Sequence, residues 1–215
     1  LLEKKQFKQV SEMLTEVNQR NLLGTWEGEP MALPTVSKVL KALEDDMIVG
    51  RNGSTTTLLQ AEKLLERLRE NYTPPKAKNI INWQIPLSPA GVLSLNQALS
   101  EAFKSDIPAV LTGASMSSVS FYAVMQVGGV NSIYCPDPEK WLVKLPGTQT
   151  DRFPTISIIQ TDEASVYFDA RREKNMVFAS PIQTYLELMA GDKRDQETAV
   201  QVKDYILRRL TGVTL

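Results

Sequence analysis

The sequence predicts an α/β (α+β) chain with two regions, a small helix–hairpin region and a larger domain built on a mixed sheet. Three observations carry this. An amphipathic helical stripe in Leu33–Arg51 runs straight into a hairpin signal. Thr73-Pro-Pro-Lys-Ala-Lys78 then breaks the pattern in the manner of a linker. From Asn79 onward, short apolar runs alternate with helical stripes, the arrangement of a sheet covered by helices. The expected boundaries are residues 1–75 for the first region and 79–215 for the second.

Residues 3–23 read as the first helix, with Phe7, Val10, Met13 or Leu14, and Val17 on one face. Gly24–Leu33 should hold a second helix and a turn, but two glycines and Pro30 make it poor helix material. Either that helix is short and irregular or the motif is degenerate there. In the next segment Val36, Val39, Leu40, Leu43 and Met47 fall on one helical stripe, and Pro34 suits the first helical position. Ser37, Lys38 and Lys41 take the opposite face. Ile48-Val49 and Thr55–Leu58 then flank Asn52-Gly53, the pair that supplies two positive-φ residues for a type I′ turn. A short amphipathic helix leading into a hairpin is the recognition helix plus wing of a winged helix-turn-helix. Glu62–Tyr72 continues as a helix, with Leu64, Leu65, Leu68 and Tyr72 inward.

Past the linker, Asn79–Ile85 alternates as a strand, and Ser88-Pro89 opens a helix burying Val92, Leu95, Leu99 and Phe103. Ala109–Leu111 is a short strand, followed by Thr112-Gly-Ala-Ser115 and a helix to about Gln126. Further strands are expected at Ser132–Cys135, Thr155–Ile159, Ser165–Phe168 and Asn175–Phe178. Helices Pro181–Ala190 and Gln196–Leu210, joined at Gly191-Asp192, close the chain.

Composition narrows the chemistry. The chain has 215 residues, one cysteine (Cys135) and no histidine, which excludes a disulfide framework, a zinc site and a His-based triad. Carboxylate-bound Mg²⁺ is still open to it, but no cofactor is expected. No apolar run approaches the ~20 residues of a membrane span, and the single cysteine fits a reducing cytoplasm. The chain starts at Leu1 rather than at a methionine, so a natural N-terminal segment is expected to precede it. Residues 1–78 carry 12 Lys and Arg against 11 Asp and Glu, a net of +1; the remainder carries 12 against 14, a net of −2. Phosphate neutralisation drives DNA affinity, so a DNA-binding surface here has to be a local basic face.

That face is expected at Thr35, Ser37, Lys38 and Lys41, because a recognition helix reads base edges and phosphates with its N-terminal residues. Arg51 and Asn52 would add wing contacts to the backbone or minor groove. The plain alternative is an exposed helix and turn used for protein contacts. Thr112, Gly113 and Ser115 lie between a strand and a helix, where backbone amides can cradle an anion; the plain reading of Gly113 is close helix–strand packing. Nucleotidyltransferases follow such a turn with two spaced acids that hold metal, and here the next strand offers only Asp137. Ser180 and Pro181 read as a helix start, with Gln183 and Tyr185 either structural or contacts to a partner or RNA.

Two stretches resemble one family. Leu33–Arg51 resembles the winged-helix segment of the AbiEi-like antitoxin regulators of type IV toxin–antitoxin systems. Ala179-Ser-Pro-Ile-Gln-Thr-Tyr-Leu-Glu-Leu-Met189 resembles their C-terminal signature through Ser180, Pro181, Gln183, Tyr185, Leu186 and Leu188, with Gly191 and Ala199 following. Pro108–Gly113, Tyr134 and Asp137 match further pieces of the pattern. The resemblance implies a cytoplasmic, prokaryotic regulator that represses its own operon and neutralises a toxin encoded beside it; the lack of a second acid near Asp137 adds the expectation that it is not an enzyme. Its partners would be double-stranded DNA and a neighbouring nucleotidyltransferase toxin or that toxin's RNA. Read from the residues, a degenerate nucleotidyltransferase-like C-terminal fold, kept for binding, would reconcile the Thr112–Ser115 turn with the missing second acid. From the residues alone, a nucleotidyltransferase-like enzyme acting on nucleotide or RNA, or a plasmid or mobile-element replication protein, are the alternatives.

Overall fold

A computed structural model describes residues 1–20, 30–86, 92–105, 107–124 and 130–211, with the side chains of residues 92–94 excepted. The expected second helix in Gly24–Leu33 and the Ser88-Pro89 helix start therefore lie largely or wholly outside the described residues. Chain order is β1 (Gln6–Phe7), α1 (Val10–Gln19), α2 (Leu33–Asp45), β2 (Val49–Asn52), β3 (Thr55–Leu58) and α3 (Ala61–Glu70). There follow β4 (Asn79–Gln84), α4 (Val92–Ala102), β5 (Val110–Leu111), α5 (Met116–Val119), β6 (Asn131–Cys135), α6 (Pro138–Leu142), β7 (Thr148–Gln149) and β8 (Ile156–Gln160). The chain ends with β9 (Arg171–Glu173), β10 (Met176–Phe178), α7 (Pro181–Met189) and α8 (Lys193–Thr211). Among the described residues no helix is long and apolar enough to cross a membrane.

The first sheet is antiparallel, in the order β1-β3-β2. Residues 3–9 are not helical as expected. Phe7 instead pairs with Thr56 of β3 and drops its ring into a small core with Met13, Val36 and Leu40. Helix α1 starts only at Val10, where Glu12 reaches back to accept from the Lys8 amide at 2.8 Å.

Helix α2 buries Val36 and Leu40, but Val39 is 52% exposed and Met47 66%, against the expected stripe. Met47 lies outside the helix because the chain stops in a Schellman motif. The Met47 amide bonds the Glu44 carbonyl at 2.9 Å, and the Ile48 amide bonds that of Leu43 at 2.8 Å. Met47 itself takes φ 58°, a position that usually calls for glycine. The hairpin also differs from expectation. Asn52 pairs with Thr55 inside the ladder, so the loop is Gly53-Ser54 and only Gly53 has positive φ (59°). That is the pattern of a type II′ turn, with glycine first, rather than an Asn-Gly type I′ turn.

The second sheet is mixed and seven-stranded, ordered β7-β4-β8-β6-β5-β10-β9, with parallel pairs at β6–β8 and β5–β10. Its main core gathers Leu99 and Phe103 near α4, Trp141 of α6, and the inward residues Ile133, Ile156 and Ile158. Phe103 meets Trp141 edge-on at 5.5 Å between ring centres. Ser165–Phe168 is not a strand: Ala164–Tyr167 forms a 3-10 turn, with Val166 and Tyr167 both buried. The closing hairpin turns at Lys174-Asn175, both with positive φ (47° and 62°), a type I′ pair without a glycine to announce it.

The two regions share a core between the first sheet with α3 and the helices α7 and α8. Ile48, Val49, Leu58, Leu64 and Leu65 from the first region pack with Tyr122, Tyr185, Leu186, Leu188, Val202 and Ile206 from the second. Thr73–Lys78 therefore joins two bodies that also bury apolar surface against each other.

Candidate nucleic-acid interface

Helix α2 is held from beneath, which fixes the direction of its outer face. Val36 and Leu40 anchor one side, and rotation by about 100° per residue turns Lys38 and Lys41 away from that core. Thr35, Ser37, Lys38 and Lys41 are all exposed, as are Arg51 and Asn52 at the end of β2. Neither Lys38 nor Lys41 has an ion-pair partner among the described residues.

Nearby acids are partly neutralised. Asp46 accepts from the Arg67 guanidinium at 2.7 Å, and Arg51 sits 3.8 Å from Glu44. Asp45 stays on the outer face, four residues after Lys41, at the C-terminal end of the helix. Lys38 and Lys41 lie in the middle of the helix, with Thr35 and Ser37 toward its N-terminal end.

The start of α2 is also tied to α1. The Asn18 side chain accepts from the Met31 amide at 2.9 Å and donates to the Met31 carbonyl at 3.2 Å. Sequence reading missed Asn18. Its placement one residue before the end of α1 is legible only once the partner at Met31 is known.

The turn after β5 behaves differently. Thr112 and Ser115 are buried and bond one another at 2.9 Å. The Ser115 hydroxyl donates to the Ser132 carbonyl and accepts from the Ser132 amide, both at 2.8 Å, so it stands in for a missing rung of the β5–β6 ladder. A Cβ on Gly113 would lie 2.6 Å from Thr184 Cα, so α7 rests directly on the turn. This is the close helix–strand packing that the plain reading describes.

The amides of the turn do hold an anion, and it comes from the chain itself. Half-buried Glu187 of α7 accepts from the Ala114 amide at 3.0 Å and from Gln183 Nε2 at 2.8 Å. The Gly113 amide and the Tyr134 phenol complete its partners. Burial pushes the Glu187 carboxyl above its ordinary range, although each of these donors pulls it back. The phenols of Tyr134 and of Tyr72, which bonds Gln183 at 3.3 Å, are pushed up by burial and then by the Glu187 charge.

Gln183 and Tyr185 are both buried, so neither lies on a surface where a partner could touch it. Tyr185 belongs to the shared core, and Ser180 caps α7 by accepting from the Gln183 amide at 3.1 Å. The sequence signature Ser180–Leu188 is thus a packing and capping motif.

Asp137, the single acid at the end of β6, caps α6 and pairs with Lys140 Nζ at 2.6 Å. That hydrogen bond lowers its carboxyl pKa. Cys135 is buried, and burial pushes its thiol up to about 12, far from a reactive thiolate. Among the described residues no group of three or more metal-ligating side chains is placed to hold an ion. Comparison with family models, curated proteins and solved structures gives no match, so what the site does has to be argued from its geometry.

Proposed function

We propose that the chain is a DNA-binding transcriptional regulator whose first region is a winged helix, with α2 as recognition helix and the β2–β3 hairpin as wing. The observation that carries this is the pair Lys38 and Lys41, exposed and uncommitted on the outer face of a helix that leads into a tight hairpin. The order β1-α1-α2-β2-β3 and the sheet order β1-β3-β2 support the same reading. Docked in the conventional way, Thr35 and Ser37 would face base edges, with Lys38 and Lys41 on phosphates and Arg51 and Asn52 on the flanking backbone.

The residue resemblance to AbiEi-like regulators extends the proposal to an autoregulating antitoxin, with a nucleotidyltransferase toxin as its second partner. The C-terminal domain would then serve binding rather than turnover. Titration of the full chain into labelled duplex carrying its own upstream region is the test. The expected result is binding in the nanomolar to micromolar range that weakens steeply with salt. Absence of any salt-sensitive binding to that duplex or to random duplex would refute the proposal.

A further inference from the structure

Three carboxylates and three guanidiniums converge where the first region meets the second sheet. Asp169, buried on the segment just before β9, accepts from Arg20 at 2.8 Å and from Arg171 at 3.0 Å. Glu3 meets Arg171 at 2.9 Å, Arg209 of α8 at 3.1 Å and Arg20 at 3.9 Å, while Glu16 holds the other arm of Arg20 at 2.7 Å. The Asp169 amide also donates to the Arg20 carbonyl at 3.1 Å, closing the end of α1 from outside the helix. To do so Asp169 adopts φ 55°, a conformation uncommon for a residue with a side chain.

The chain of contacts runs on toward the helix proposed to read DNA. Arg20 follows α1 directly, Asn18 near the end of that helix clasps Met31, and Met31 stands two residues before α2. Asp169 is thus linked to the N-terminal end of α2 through two polar joints and one short piece of helix. We propose that this cluster is an ionic latch that couples the base-reading end of α2 to the C-terminal domain. A partner that displaces the segment around Asp169 would then be felt at the DNA-facing helix. The regulatory half of this inference rests on the DNA reading above; the mechanical half does not.

Charged joints of this kind are sharply geometry-dependent, since a partner removed leaves buried charge uncompensated. Lys4 Nζ lies 3.6 Å from Glu16 as well, so cations crowd the cluster and each carboxylate counts. Loss of Asp169 removes the carboxylate that Arg20 and Arg171 both hold closely, leaving Glu3 alone between them.

Hydrogen–deuterium exchange on the full chain, with Asp169→Asn, tests the latch without DNA. Exchange in α1 and in the first turn of α2 should rise about tenfold, while α7 keeps its wild-type rate. Lys203→Gln, which cuts the other ion pair between the regions (Glu62–Lys203, 2.7 Å), should leave α1 unchanged. If Asp169→Asn does not fold, Arg209→Gln removes one outer arm and should raise exchange in α1 about threefold. A rise shared equally by all helices, or no rise in α1, would overturn the latch. With duplex present, Asp169→Asn should weaken binding about fivefold. Wild-type affinity in a variant whose α1 is loosened would overturn the coupling, and a wild-type chain that binds no DNA would sink the DNA reading while leaving the exchange result to judge the joint.

Discussion

The outer face of α2 and the turn after β5 are both rich in polar groups, and they use them in opposite ways. Lys38 and Lys41 point into solvent from a helix whose inner side is fixed by Val36 and Leu40. At the turn, Thr112, Ser115 and the amides of Gly113 and Ala114 are all engaged by Ser132 and Glu187. A polar group satisfied within the chain loses free energy when a ligand replaces its partner; one in solvent has little to lose. The difference separates a surface fit for a partner from a motif whose polarity holds the fold together.

Gly113→Ala probes that difference with the largest expected effect. Its methyl would meet α7 backbone at Thr184, which has no flexible end to give way. A loss of roughly 2–3 kcal/mol is expected, the scale of overpacking at a tight contact, read as a fall in denaturation midpoint. An unchanged midpoint would mean that the turn is looser than described and its amides more available.

Glu187→Gln sharpens the same side of the comparison through pH. The folded carboxyl is raised above its unfolded value of 4.5, so burial disfavours its charged form. The native state then binds more protons than the unfolded one across that window, and stability from this group falls as pH climbs from 4.5 through the folded value. Below 4.5 the protonated acid and the amide should be of similar stability. Toward pH 8 the Gln variant should gain on wild type. A stability difference that stays flat across this range would show that the donors around Glu187 outweigh its burial.

Met47→Gly has the smallest effect and the opposite sign. Met47 holds a left-handed conformation that costs a side-chain-bearing residue about 1 kcal/mol, and its mostly exposed side chain contributes little packing. A gain of about 0.5 kcal/mol is expected in chemical denaturation, after allowing for the greater freedom of glycine in the unfolded chain. Destabilisation instead would show that the Met47 side chain is bound to something it needs.

Much of the fold could be read from the chain because its signals are local. Pro181 at the first position of α7, Pro34 one residue further in at the second position of α2, Ser180 as a cap, and the alternation of Asn79–Gln84 all act within a few residues. The errors share a cause of the opposite kind. Phe7 was open to helix on pattern, and only its pairing with Thr56, far along the chain, makes it strand. Val166 and Tyr167 look like strand residues until packing buries both sides of the turn. Asn-Gly is a strong local signal for a turn at Asn52, but the ladder to Thr55 moves the loop on by one residue. At the candidate site, exposure of Lys38 and Lys41 follows from helical period and was legible. Glu187 was not, since its partners Ala114 and Tyr134 lie 73 and 53 positions away and no local pattern marks them.

The central claim, that the uncommitted cations of α2 face DNA, is tested most directly by the salt dependence of binding. Affinity of the wild type, of Lys38→Ala/Lys41→Ala and of Lys140→Ala for one duplex should be measured from low to physiological salt. Each phosphate contact contributes roughly 0.9 to the slope of log affinity against log salt. The double variant should bind more weakly, with the slope reduced by roughly 2, whereas Lys140→Ala, already paired with Asp137 at 2.6 Å, should match wild type. Equal slopes for the double variant and wild type would contradict the account and move any DNA contact to another face of the protein.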